Sequence, residues 1–133
     1  MQGTIRSASN EKTDEILANM QLTLATIAEA SQAIIDLQFP ARCPATMSTP
    51  AETAFVLSEA KKLFGEDRVQ IKESPARASE DFAFFTQKVP GCYMFIGNGN
   101  SAFCHNAQYD FNDEVMLTGV ELLSTIAMAY LNT

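Results

Sequence analysis

A mixed α/β architecture is the fold class the sequence predicts, and three observations carry it. The first forty residues alternate a β-like stretch, a helical pattern and a second β-like stretch. Beyond them, short apolar runs of strand character are interleaved with capped helical patterns rather than grouped apart. The 133 residues are 47% hydrophobic and 19% charged, a globular balance with length enough for one core or for parts of two domains.

The elements follow in order. Residues 3–7 are short and β-like, with Thr4 and Ile5. Asn10 or Ser9 can cap a helix over 11–31, on which Ile16, Met20, Leu24, Ile27 and Ser31 recur at helical spacing and form one face. Residues 33–39 read as a strand. A β-α-β unit alone leaves open sheet edges and is a poor folding unit, so this first portion calls for partner strands. Pro40, Pro44 and Pro50 then punctuate the chain and set a boundary between 1–40 and 41–133.

The second portion is richer in helix signals. Thr49-Pro50-Ala51-Glu52 is a strong helix start: threonine at the N-cap, proline at the first helical position, glutamate where a capping box needs it. That helix runs to about Phe64, with Gly65 as a left-handed stop. Residues 69–72 read as a short strand. A short helix over 79–86 has Ser79 as cap, with Glu80 and Asp81 in a first turn where the helix dipole favours them. A turn at Val89-Pro90-Gly91 leads to an apolar, aromatic strand over 92–96. The last helix spans 113 to about 131, capped by Asn112 or Asp113. Its expected buried stripe is Val120, Leu123, Ala127 and Tyr130, with Gly119 allowing close approach.

Charge and composition exclude several classes. The net charge is −7, and a nucleic-acid binder would need clustered Lys and Arg to meet phosphates. No apolar run approaches the ~20 residues that cross a bilayer, so no membrane partner is expected. The first residues carry no apolar signal core. Cys43, Cys92 and Cys104 are odd in number and lack CxxC spacing, which argues against a disulfide framework or a zinc knuckle. The expected compartment is the cytoplasm, and each cysteine is expected to be a small buried hydrophobe.

Chemistry concentrates around the only histidine, His105, in a glycine-containing loop after the apolar strand. An imidazole is the commonest nitrogen ligand of zinc and a general base near neutral pH. Gly97-Asn98-Gly99 supplies backbone donors ahead of it. Asn106 and Asp110 are polar neighbours suited to fixing its tautomer. One histidine cannot build a metal site, and no HExxH, HxD or HxH pair is present. Glu80 and Asp81 are either paired acids for proton transfer or a dipole-satisfied helix start. Arg6 can clamp a carboxylate bidentately or make a surface ion pair. Cys104 adjoins His105, but adjacent residues on an extended segment face opposite ways, which disfavours a Cys–His dyad.

Several segments together resemble the C-terminal part of the zinc-dependent amidohydrolases of the aminoacylase and carboxypeptidase type, in the branch that includes hippurate hydrolase and the indoleacetyl-amino-acid hydrolases. They are Gly3-Thr-Ile-Arg-Ser7, Pro44-Ala-Thr46, Leu63-Phe-Gly-Glu66, Ser79-Glu-Asp-Phe82, Val89-Pro-Gly-Cys-Tyr93 with Phe95-Ile-Gly-Asn-Gly99, and His105-Asn with Tyr109-Asp-Phe-Asn-Asp113. They occur in family order over nearly the whole chain. The resemblance implies a zinc-exopeptidase-like α/β catalytic domain into which a lid or dimerisation domain is inserted. Residues 1–40 would be the last β-α-β part of the lid, and 41–133 the C-terminal part of the catalytic domain.

Residue by residue, the resemblance makes His105 the last metal ligand and Arg6 the lid arginine that receives the substrate carboxylate. Ala78 and Ser79, with Gly97 and Gly99, would line the carboxylate pocket, while Glu80, Asp81 and Asp110 would be structural beside it. The implied cofactor is a divalent metal, zinc first, with manganese or cobalt as alternatives. The implied substrate is an N-acyl amino acid or small peptide with a free carboxylate. The earlier ligands of the family pattern are absent and would lie upstream. Ala78 stands where the family has glycine, Arg77 where it has a hydrophobic residue, Cys104 where leucine is usual, and Met47-Ser48 where a hydrophobic–Asn pair is usual.

The expectation is therefore the C-terminal segment of a metal-dependent amidohydrolase, inactive by itself, that pairs with itself as a homodimer or with the N-terminal half. The alternative is a non-catalytic interaction or dimerisation module. A free-standing cysteine/histidine enzyme is a third reading.

Overall fold

The computed structural model describes residues 2–40, 42–76 and 78–132, so Arg77 lies outside the described residues. It contains α1 (Asn10–Ser31), α2 (Pro50–Phe64), a 3-10 turn (Glu66–Arg68), α3 (Phe82–Thr86) and α4 (Val115–Leu131). Among the described residues no segment pairs in a β-ladder. The stretches 3–7, 33–39, 69–72 and 92–96 therefore carry strand-like sequence without sheet partners. A strand gains its hydrogen bonds only from a neighbour, so strand propensity alone leaves these stretches as connecting chain. No helix among the described residues is long and apolar enough to cross a membrane.

The chain forms two compact units that interleave in sequence: Met1–Met47 with Ser74–Pro90, and Ser48–Glu73 with Gly91–Thr133. In the first, α1 begins as its sequence requires. Ser9 is the N-cap and its hydroxyl accepts the Lys12 N–H at 3.2 Å. At the other end Gln32 adopts the left-handed conformation at φ 55°, and the Ala33 N–H returns to the Ala28 carbonyl at 3.1 Å, closing the last turn. Polar contacts tie the start of α1 to the rest of the unit. Arg42 Nη1 meets the Asp14 carboxylate at 2.6 Å and Nη2 donates to the Asn10 carbonyl at 2.9 Å. The Asn10 side chain accepts the Ala45 N–H and donates to Gln87 Oε1. Ile16, Met20 and Leu24 form a half-buried face as expected, but no residue of α1 is fully buried and Ile27 is exposed.

The short helix differs from expectation. It begins at Phe82 rather than Ser79, with Asp81 in the cap position. The Phe82 N–H is taken by the Glu80 side chain at 3.2 Å, and Ala83 N–H by the Glu80 carbonyl at 3.0 Å. Glu80 thus satisfies the first turn from two residues upstream, and Ser79 is not needed as a cap. Ala83 is the one fully buried apolar residue described in this unit.

The second unit is built on α2 against α4. Val56, Ala60 and Leu122 are buried there, and the rings of Phe55 and Tyr130 meet edge-to-face at 6.0 Å. The expected α4 stripe needs correction: Val120, Leu123 and Tyr130 are 61–66% exposed, and the buried position is Leu122. Apolar residues surround this helix on nearly every side, so spacing alone could not choose the inner face. Gly119 does allow close approach, since a Cβ placed there would lie 3.2 Å from Ile96 Cδ1.

At the head of α2 the capping pattern is rearranged. Thr49 Oγ1 donates to the Glu52 carboxylate, but the Thr49 N–H goes to the Gly91 carbonyl at 2.9 Å instead of to Glu52. The Gly91 N–H returns to Thr49 Oγ1 at 3.0 Å, and Tyr93 N–H donates to Ser48 Oγ at 2.9 Å. These bonds bind residues 91–93 to the start of α2, and residues 92–96 then lead directly into the histidine loop. Gly65 ends α2 with φ 89° and its N–H on the Lys61 carbonyl at 2.8 Å. Its ψ of 156° makes it an extended exit rather than the left-handed stop expected.

Candidate functional site

The histidine loop leaves the extended segment 92–96 and ends at α4. Tyr93 and Phe95 pack edge-to-face at 5.1 Å on one side of that segment, the period-two geometry of an extended chain. At its far end the Asn112 side chain accepts the Glu114 N–H at 3.1 Å, and the Asn112 and Asp113 carbonyls accept from Val115 and Met116. The helix nevertheless begins at Val115 rather than 113, with Glu114 in the cap position and no side-chain cap bond. Asn112 serves its approach from two residues upstream of Glu114, and Asp113 contributes only its main-chain carbonyl.

His105 sits at the third position of a turn closed by the Asn106 N–H on the Phe103 carbonyl at 3.0 Å. Its φ is 70°, in the left-handed region that a non-glycine residue occupies at a cost. The turn places the imidazole at the surface, exposed. The next turn is closed by the Tyr109 N–H on the Asn106 carbonyl at 2.9 Å, with Asn106 Oδ1 accepting from Gln108.

Neither neighbour expected to orient the imidazole does so. Asn106 serves its own turn, and Asp110 contributes its main-chain carbonyl to Asn98. Among the described residues no group of three His, Cys, Asp or Glu side chains could hold a metal ion. The described residues therefore do not fit a complete metal site. His105 offers one donor nitrogen and no more.

The glycines ahead of it differ from one another. Gly99 has φ 78° and so occupies a conformation that favours glycine, whereas Gly97 does not. The signal that sequence reading passed over lies between them. Asn98 makes three side-chain hydrogen bonds, to Ser101 Oγ, the Asp110 carbonyl and the Asn112 N–H. A carboxamide flanked by glycines at a loop entrance was the available clue.

The cysteines are corrected as well. Cys43 and Cys104 are exposed, and Cys92 is half-buried. The Cys43 thiol donates to the Glu80 carbonyl at 3.4 Å. Burial and then the neighbouring Cys104 thiol raise the Tyr109 hydroxyl above its ordinary value. Cys104 thus lies beside Tyr109; it and His105 are the central residues of a turn, where the alternation of an extended segment does not apply.

The remaining candidates belong to the first unit. Arg6 is exposed and takes no ion pair among the described residues. Ala78 and Ser79 are exposed on irregular chain, and Glu80 and Asp81 form the entry to α3. Gly97, Gly99, His105 and Asp110 belong to the second unit.

Peptidase family M20/M25/M40 matches residues 6–129, and the chain belongs to that family. It is 33% identical over 105 residues to hippurate hydrolase of Campylobacter jejuni, covering 79% of this chain and 27% of that protein. It is also 33% identical over 66 residues to the IAA-amino acid hydrolase ILR1-like 5 of Arabidopsis thaliana, covering 46% of this chain and 15% of that protein. To thermostable carboxypeptidase 1 of Saccharolobus solfataricus it is 26% identical over 138 residues, covering 99% of this chain and 34% of that protein. The chain thus spans about a third or less of the length of these curated relatives. No solved structure matches it significantly.

Proposed function

We propose that this chain is the C-terminal segment of a metal-dependent amidohydrolase that cleaves the amide bond of N-acyl amino acids or small peptides bearing a free carboxylate. The observation that carries the reading is the family match over residues 6–129, within which the single histidine stands exposed on an ordered turn. Relatives named for hydrolysis of hippurate, of amino-acid conjugates and of peptides at the carboxyl end fit one chemistry, an amide next to a carboxylate.

Within that reading His105 is one donor to the metal, and Arg6 receives the carboxylate. A planar guanidinium suits that role, since it matches a carboxylate with two parallel hydrogen bonds. Backbone N–H groups near Ala78, Ser79, Gly97 and Gly99 complete the carboxylate pocket. The proposed architecture is the α/β one, with 1–40 in the lid and 41–133 in the catalytic domain. A divalent metal supplies carbonyl polarisation and an activated water in such enzymes. Zinc is the leading candidate, and cytoplasm the proposed location.

Metal analysis of the purified chain after dialysis against zinc tests the proposal. Less than one tightly held ion per chain is expected, and no amidase activity on N-benzoylglycine. Two tightly held metals with turnover would overturn the view that this segment is incomplete.

A second reading, an interaction module that pairs with itself or with an N-terminal half, is favoured by one observation. Leu117, Val120, Leu123 and Leu131 of α4 are all more than 60% exposed, an apolar face of the kind that marks association surfaces.

A further inference from the structure

An imidazole on an exposed loop is useful as a ligand only if the loop holds it in one direction, because binding costs less when the donor is already in place. In this chain one side chain does the holding. Asn98 Nδ2 donates to Ser101 Oγ at 2.7 Å and to the Asp110 carbonyl at 2.8 Å, while Oδ1 accepts the Asn112 N–H at 2.9 Å. Both ends of the carboxamide are used, and Asn98 is half-buried where Gly97, Gly99 and Asn100 are exposed. The partners lie 3, 12 and 14 residues along the chain, so the bonds close the loop across its base with His105 near its middle. The same base is drawn together by Ile96 against Gly119. Asn112 passes the anchorage on to the first turn of α4.

We propose that Asn98 is a positioning residue: its carboxamide clasps residues 98–112 and thereby fixes the direction in which His105 is presented. This rests on the reading of His105 as a metal ligand. Only a carboxamide supplies two donors and an acceptor from one short side chain. Aspartate keeps the acceptor for Asn112 but loses both donors, and alanine loses all three.

The test uses the whole 133-residue chain, isotope-labelled, with Asn98→Ala, Asn98→Asp and the exposed-neighbour control Asn100→Ala. His105 is the only histidine, so its imidazole signals are read without overlap, before and after addition of zinc ions. In Asn98→Ala the Asn112 amide should exchange about tenfold faster, as expected for losing one hydrogen bond of ordinary strength. Amide order parameters over 103–109 should fall from about 0.85 toward 0.6, and the imidazole signals should shift or broaden while those of α2 stay in place. Asn98→Asp should keep Asn112 protected yet free 99–110, and it carries the test if the alanine variant does not fold. Asn100→Ala should match the unaltered chain. Unaltered loop order and imidazole signals in both Asn98 variants would overturn the clasp, whatever zinc does. A lone imidazole binds zinc only weakly, so zinc in large excess that still leaves the imidazole of the unaltered chain unmoved would count against the ligand reading separately, while altered loop order in the variants would still support the clasp.

Discussion

At the scale of single residues, two positions invite direct measurement. His105 occupies left-handed backbone at φ 70°, which costs a non-glycine residue about 1–2 kcal/mol. Glycine there would remove that strain but would lose about 0.4–1 kcal/mol through its freer unfolded chain. His105→Gly should therefore leave the urea-unfolding free energy within about 1 kcal/mol of the parent, while abolishing the zinc response of the loop. A loss well above that would show the imidazole to be a structural group. Glu52 is the second position. The Thr49 hydroxyl, and next its own amide, hold its carboxyl below the ordinary value of 4.5, with desolvation opposing. A carboxyl that releases its proton more readily when folded stabilises the fold fully above about pH 4.5. That contribution is lost as pH falls through the lower folded value. Unfolding midpoints of the parent should thus fall more steeply below pH 4.5 than those of Glu52→Gln; parallel profiles would remove this carboxylate from the account.

At the scale of elements, two glycines carry opposite expectations. Gly65 has φ 89° and ψ 156°, a region essentially reserved for glycine, with open space where a Cβ would stand. Gly65→Ala should cost about 1–3 kcal/mol by conformation alone, read as a lowered denaturation midpoint. Gly119 is helical, and alanine gains about 0.8–1 kcal/mol of helix propensity over glycine. Against that, its Cβ would meet Ile96 Cδ1 at 3.2 Å. Ile96 is 43% exposed, so the end of its side chain can swing a few tenths of an ångström toward solvent. Gly119→Ala should therefore stabilise by roughly 0.5 kcal/mol, whereas Gly119→Val, larger and β-branched, should cost about 1–3 kcal/mol by overpacking. Equal losses for both would mean that Ile96 is pinned.

At the scale of the whole molecule, the apolar face of α4 is the dominant feature. Four apolar residues are buried in the described chain, while Ile34, Phe103, Leu117 and Leu131 are at least 77% exposed. Apolar surface left in water is removed by association when a complementary surface is offered. Size-exclusion chromatography across a hundredfold range of concentration should show self-association, and Leu123→Glu should weaken it. A folded monomer throughout, in both proteins, would count against the interaction-module reading and leave the amidohydrolase reading untouched. Arg6 belongs to this scale as well, because the carboxylate it is proposed to bind depends on elements assembled around it.

The sequence by itself determined what rests on neighbours along the chain. Ser9 before α1, Pro50 at the first position of α2 and Asn112 before α4 act within a few residues, where capping chemistry is local. The family resemblance was legible for the same reason, since its motifs are short runs in order. Only tertiary structure decided which face of α4 turns inward, because a helix apolar on nearly every side carries no directional signal. It also decided that Thr49 bonds Gly91 instead of completing a capping box, and that Asn98 joins Asp110 and Asn112. Those bonds reach across 42 and up to 14 residues. No rule of local spacing encodes a partner so far away; it is chosen by which carbonyls and amides the packed chain brings within about 3 Å.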